Sequence, residues 1–334
     1  MKRIAFWNAK GGVGTTTLVF NLAAMFGDLG ARVLAADLDP QADLTATCVE
    51  QRTLIRWSRH EHPQTIFDAV APAFGGSDVC AIEPYPIAGE PRVALLPGDI
   101  ATSRFEDGLA QAWLRAIGGD QEAARLVTMF TRAVDDGASR WQADVVLIDV
   151  GAGSSALVRA ALLAADSVIF PVSPDTFALE GLRVCGSTLR DWRSAWLGRG
   201  AGSAEPPAGS SGAMDPMGYV AFDRMVRTAP FVLGSELRLG ELRDIYGPCV
   251  LGEAAAAELS EAEGHRLAIL RNHRGLAALA AEARKPFFAL LPADGAVGSQ
   301  QEAVRWSYAE FRALAVVIAT RLGIVLPLLE GRAT

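Results

Sequence analysis

A short β-prone run, Ile4 to Asn8, leads into Lys10-Gly11-Gly12-Val13-Gly14-Thr15-Thr16-Thr17, and from Thr16 to Phe26 apolar residues recur at helical spacing. Strand, glycine turn and helix therefore follow one another directly. The glycines at 11, 12 and 14 let the backbone approach a ligand closely. Successive amides and the helix N-terminus then converge where phosphate oxygens can sit. A second short strand, Arg32 to Asp37, completes a strand–helix–strand unit, whose strands are expected to be parallel and whose crossover right-handed.

Further strands are expected at Val93–Leu96, Val145–Asp149, Ser167–Val172 and Gly218–Phe222, with helical patterns between most of them. This alternation predicts an α/β fold: a doubly wound, mostly parallel sheet flanked by helices. The 334 residues suit one large domain, read as spanning 1–334. The stretch from Gly198 to Gly218 is rich in Gly, Ser, Ala and Pro, so a flexible insertion is expected at about 198–216. A helical C-terminal region is expected at about 235–330. Within it, Glu253 to Glu282 opens acidic and turns basic at Arg266, Arg271 and Arg274, and Ser299 to Leu322 reads as a long amphipathic helix.

Composition removes several classes of function. Half of the residues are hydrophobic and 21% are charged, which excludes global disorder. A net charge of −7 excludes binding to nucleic acid by bulk charge and leaves open only a local basic patch. The four cysteines, Cys48, Cys80, Cys185 and Cys249, lack a C-x-x-C spacing, and His60-Glu61-His62 has no third ligand placed beside it, so a zinc site is not expected. Met1-Lys2-Arg3 runs straight into a strand, which predicts no export leader. Phe311 to Leu329 is broken by Arg312, Arg321 and Pro327, which predicts no membrane span and a cytoplasmic protein.

Neither generic nucleotide motif is intact. The dinucleotide fingerprint fails at its third glycine, where Thr17 stands. The general P-loop fails at Ala9, in place of its first glycine, and at Thr15, in place of its lysine. A narrower pattern fits: Lys10 to Thr17 resembles the deviant Walker A motif, KGGxGK[ST][ST], of the ParA/MinD family of P-loop partitioning and positioning ATPases. Three further blocks carry the resemblance in the expected order. Asp37-Leu38-Asp39-Pro40-Gln41 resembles the family's DxDPQ segment, Val145 to Asp149 its Walker B strand, and Ala164 to Leu182 the following strand and switch helix.

The resemblance implies roles by position. The backbone of Gly11, Gly12, Val13, Gly14, Thr15, Thr16 and Thr17 would cradle the phosphates of ATP or ADP, with Asp39 beside the nucleotide. Thr16 would ligate Mg²⁺ and Asp149 would hold a Mg²⁺-bound water. Asp37 would help position the attacking water. Lys10 would reach across a nucleotide-sandwich homodimer to the partner's phosphates, where a cation offsets charge developing during transfer. The implied function is a Mg²⁺·ATP-dependent dimerising switch that partitions or positions DNA or a protein cargo. Nonspecific DNA, a ParB-like or cargo-adaptor protein, and nucleoid association are implied with it.

Three departures qualify that reading. Thr15 replaces the in-cis lysine and removes a charge-assisted contact of roughly 1.5–3 kcal/mol, so weakened binding and slow hydrolysis are expected. The same GGVGTTT run is similar to that of a MinD-like branch associated with cellulose export, in the loop alone. Gly151-Ala152-Gly153-Ser154-Ser155 replaces the family's proline-containing turn after Walker B, and a looser switch is expected there. The resemblance also fades in the C-terminal half. The alternative these departures motivate is a catalytically inactive nucleotide-binding scaffold acting through protein–protein interaction.

Overall fold

The structure, a computed structural model, describes residues 1–58, 65–173, 175–199, 212–223, 240–242, 244–252 and 262–330. Its strands are β1 (Lys2–Phe6), β2 (Val33–Asp37), β3 (Tyr85–Pro86), β4 (Val93–Leu96), β5 (Val145–Asp149), β6 (Ser167–Val172), β7 (Asp215–Asp223) and β8 (Arg266–Arg271). They form one sheet in the order β3-β4-β2-β5-β1-β6-β7-β8, parallel throughout except for the β3–β4 edge pair. β5 lies between β1 and β2, so the first strand–helix–strand unit straddles a strand that arrives later in the chain.

Every residue of β2 and β5 is buried, as strands covered on both faces require. Successive side chains alternate between the faces. Ala5 and Trp7 join the apolar layer on one side, whereas Ile4 and Phe6 join the layer on the other. The second layer holds α1 (Thr15–Asp28), which is buried from Leu18 to Gly27. Gly27 lets this helix approach the sheet, because a Cβ there would meet Val93 Cγ2 at 2.9 Å.

The other helices used below are α2 (Asp43–Cys48), α3 (Gln51–Ser58), α4 (Ile66–Phe74), α5 (Glu106–Ile117), α6 (Gln121–Val127), α7 (Met129–Trp141), α8 (Ala156–Leu162), α9 (Thr176–Gly198), α10 (Arg274–Ala283) and α11 (Ser299–Leu322). Among the described residues, no helix is long and apolar enough to cross a membrane.

The strand register fixes the site. Asp37 at the end of β2 pairs with Asp149 at the end of β5, and Asp149 pairs on its other side with Phe6 of β1. The loop after β1 therefore emerges beside both carboxylates, in the crevice outside the carboxyl ends of the strands where open α/β sheets take ligands.

One expectation is corrected here. Arg266 to Arg271, read as part of a helical C-terminal region over 235–330, form the edge strand β8. Its buried residues, Leu267 and Leu270, are three apart and would suit a helix equally, and it is the pairing with β7 that makes the segment a strand. The helix over Ser299–Leu322 is observed with the expected bounds. The insertion at 198–216 lies largely outside the described residues, as do His60-Glu61-His62.

Candidate functional site

Between β1 and α1 the loop turns on two left-handed glycines, Gly12 at φ 73° and Gly14 at φ 94°. No atom lies within 4 Å of the place where a Cβ on Gly12 would sit, and Phe222 lies 3.5 Å from that place on Gly14. Gly11 and Gly12 form a hydrogen-bonded turn, and among the described residues the amides of Gly14, Thr15, Thr16 and Thr17 donate to no protein group. The first turn of α1 contains no acidic residue and no side-chain cap. The amides of the first helical turn and the positive end of a 14-residue helix are thus open to an anion. Thr15 and Thr16 are half-buried in the first turn, while Val13 is buried beneath the loop.

Two carboxylates stand side by side at the ends of β2 and β5. Asp37 is 0% exposed, and its Oδ2 accepts the amide of Thr45 at 2.7 Å and the hydroxyl of Thr45 at 2.6 Å. The Thr45 hydroxyl in turn accepts the amide of Gly98 at 2.7 Å. Gly98 has to be glycine, because a Cβ there would stand 2.7 Å from the carboxyl carbon of Asp37. Burial pushes the Asp37 carboxyl up; the Thr45 hydrogen bonds oppose the rise and neighbouring Asp39 adds to it.

Asp149 is 1% exposed, and neither of its carboxylate oxygens has a hydrogen-bond partner. Burial raises its carboxyl well above the ordinary range and the charge of Asp37 pushes the same way. The Thr16 side chain is near enough to favour the charged form without completing a hydrogen bond of normal geometry. An orphaned buried carboxylate beside a threonine hydroxyl and a bed of free amides is the donor set that a hydrated divalent cation on a phosphate would satisfy. The residues fit Mg²⁺ in that sense. Among the described residues there is no cluster of three or more His, Cys, Asp or Glu that would hold a metal by itself.

Asp39 stands at the rim, its Oδ1 accepting the amide of Gln41 at 2.9 Å. A Cβ on Gly151 would lie 2.9 Å from that oxygen, so the glycine makes room for Asp39. Two hydrogen bonds tie the turn to the segment that leads into the loop. The amide of Gly153 donates to the carbonyl of Ala9 at 3.0 Å, and the indole N–H of Trp7 donates to the carbonyl of Gly153 at 2.8 Å. Gly153 itself sits at φ 89°.

Lys10 points to the other side of the loop. Its ammonium lies 2.8 Å from both oxygens of Asp175, whose Oδ1 also accepts the amide of Ala178 at 3.0 Å and so caps α9. Burial works against the charged Asp175, but Lys10, the Ala178 amide and Ser173 outweigh it and hold the carboxyl below its usual value. Asn8 braces the lysine from behind. Its Oδ1 accepts the Lys10 amide at 2.9 Å while its Nδ2 donates to Pro171 at 2.7 Å. Gly181 on α9 approaches both, since a Cβ there would be 2.7 Å from Asn8 Oδ1 and 3.3 Å from Lys10 Cβ.

The structure thus brings Lys10, Asp37, Asp39, Asp149 and the loop from Gly11 to Thr17 to one end of the sheet. Asn8, Thr45, Gly98, Asp175 and Trp7 were missed as contributors, because their contacts span up to 165 residues of sequence and follow no motif. The C-terminal arginines do not form one face of a helix. Arg266 is exposed on β8, whereas Arg271 pairs with Glu310 at 3.3 Å and lies 4.0 Å above the ring of Trp306. Arg321 donates to the carbonyls of Met217 and Gly264.

The family described as an AAA domain matches residues 1–195. The chromosome-partitioning ATPase Soj of Thermus thermophilus is 32% identical over 196 residues, which are 58% of this chain and 64% of that protein. The match therefore spans less than two thirds of that relative's length. Among solved structures, protein DIP2308 of Corynebacterium diphtheriae superposes with a TM-score of 0.69 at 20% identity, covering 96% of this chain and 99% of that one. The septum site-determining protein MinD of Pyrococcus horikoshii, complexed with Mg-ADP, superposes with a TM-score of 0.56 at 17% identity over 97% and 98% of the two chains. At these identities the structural likenesses establish the fold.

Proposed function

Because the chain belongs to the ParA/MinD family of P-loop ATPases, we propose that it is a Mg²⁺·ATP-dependent dimerising switch that partitions or positions DNA or a protein cargo. The observation that carries this reading is the row of uncommitted amides from Gly14 to Thr17 beside the unpartnered carboxylate of Asp149. The chromosome-partitioning relative supports the process, and the Mg-ADP complex of a structural neighbour supports the ligand.

In this reading the loop amides and the α1 N-terminus bind the phosphates, while Thr16 and Asp149 would hold Mg²⁺. The ion, when bound, neutralises phosphate charge. Asp37 orients the attacking water for hydrolysis of the β–γ phosphoanhydride, its carboxylate held by Thr45, whose hydroxyl accepts the Gly98 amide. Asp39 borders the nucleotide at the rim. Lys10 leaves Asp175 and stabilises the partner's phosphates in a nucleotide-sandwich homodimer. The protein works in the cytoplasm, in association with the nucleoid when it binds DNA without sequence preference, and a ParB-like or cargo-adaptor protein stimulates it.

Thr15 favours a second reading, a nucleotide-binding scaffold without turnover, because the loop lacks the ammonium that would compensate phosphate charge in cis. Sedimentation velocity with and without Mg²⁺·ATP tests the first reading. A dimer that forms only with Mg²⁺·ATP and is lost in Lys10→Ala is expected, and an unchanged monomer opposes it. Phosphate release that depends on Asp37 excludes the scaffold.

A further inference from the structure

We infer that Trp7 is a positioning residue that locks the turn after Asp149 to the phosphate loop, so that the metal-side carboxylate and the phosphate bed keep a fixed relationship. The inference rests on the nucleotide-binding reading above. Trp7 is the residue after β1, 0% exposed, and its indole N–H donates to the Gly153 carbonyl at 2.8 Å. Two residues on, the Ala9 carbonyl accepts the Gly153 amide at 3.0 Å. Both backbone groups of Gly153 are therefore held by the segment that leads into the loop. A buried indole N–H needs a partner, and this carbonyl supplies it.

The ring itself is fixed by its neighbours. It stacks on Trp192 of α9, with centroids 5.7 Å apart and planes 25° apart, and lies 6.2 Å from Phe170 of β6. Trp192 belongs to the helix whose N-cap, Asp175, holds Lys10. One side chain thus touches the turn beside Asp149 and the helix that holds Lys10. A glycine-rich turn without proline has many conformations to lose on ordering, and the clamp from Trp7 and Ala9 selects one of them. Of the two grips on Gly153, the one from Trp7 comes from a side chain and is open to substitution.

Trp7→Phe keeps an aromatic ring against Trp192 and removes the N–H. Hydrogen exchange read by mass spectrometry tests the clamp without any ligand. In Trp7→Phe, amides of residues 151–155 are expected to exchange about tenfold faster, with those of β2 and β5 unchanged. Calorimetry then compares ADP with and without Mg²⁺. Metal-free ADP affinity is expected to stay within about threefold of the parent, while the gain on adding Mg²⁺ falls about tenfold.

A merely structural tryptophan would lower the unfolding midpoint and leave that gain intact. Trp192→Phe, which leaves the Trp7 N–H in place, is expected to keep both the exchange pattern and the gain. If the parent binds no nucleotide, the function proposed above fails and this inference with it. If the parent binds and Trp7→Phe keeps the full Mg²⁺-dependent gain, or exchange rises uniformly through the core, the inference alone is overturned.

Discussion

The ammonium of Lys10 is held 2.8 Å from both carboxylate oxygens of Asp175, the N-cap of α9 in the same chain. A lysine engaged in this way cannot serve a partner's phosphates, so the proposed dimer would require the pair to break. Asp175→Asn retains an N-capping side chain and removes the charge. Lys10 is about a third exposed, at 34%, so solvent screening trims the pair to about 1 kcal/mol. The Mg²⁺·ATP concentration for half-maximal dimer should fall about fivefold in sedimentation experiments. A midpoint that is unchanged or raised contradicts the latch.

Thr15→Lys restores an in-cis ammonium to a bed that already presents free amides. Nucleotide affinity should rise about ten- to a hundredfold by calorimetry, the equivalent of one charge-assisted hydrogen bond of roughly 1.5–3 kcal/mol. No gain would mean that the loop does not hold phosphate where its amides converge.

Thr45 connects the Gly98 amide to Asp37 through one hydroxyl. Thr45→Val has nearly the same shape but leaves a buried N–H without its acceptor and withdraws one bond from a buried carboxylate. Urea unfolding should show a loss of about 1–3 kcal/mol, with an unchanged m-value. Stability within a few tenths of the parent would show that water or a shifted side chain replaces the bond.

These contacts mark how far the sequence can be read. The parallel sheet is legible because β2, β5 and β6 are short apolar runs with no competing helical period, and the loop is legible because three glycines sit between a strand and a helix. The bracing around the loop is not. Asn8, Thr45 and Gly98 look like ordinary polar or turn residues until the chain is folded. The Gly151–Gly153 turn reads as loose from composition, yet Trp7 and Ala9 hold it. β8 was hidden because Arg266 and Arg271 flank a run that also fits a helix, and only pairing with β7 selects a strand.

Glu90 offers a test of the fold's electrostatics away from the nucleotide. Burial, reinforced by the charge of Asp28, pushes its carboxyl from 4.5 up to about 7. The folded chain therefore holds this proton more tightly than the unfolded chain does. The stability it contributes is present below about pH 4.5 and lost as pH rises through about 7. Glu90→Gln should match the parent in urea melts near pH 4.5, exceed it increasingly toward pH 7, and keep a constant advantage above that. An advantage that is independent of pH contradicts the assignment.

In the proposed function, amides around three glycines, with Asp149 and Thr16 beside them, bind a nucleoside triphosphate and its metal although residue 15 is a threonine. Calorimetric titration of the purified chain with ATP, in Mg²⁺ and then in chelator, measures this directly. Saturable binding of one nucleotide per chain, tightened by Mg²⁺ and with the Mg²⁺ gain removed in Asp149→Asn, is the predicted result. Absence of binding at millimolar ATP, or binding indifferent to both Mg²⁺ and Asp149, would contradict it.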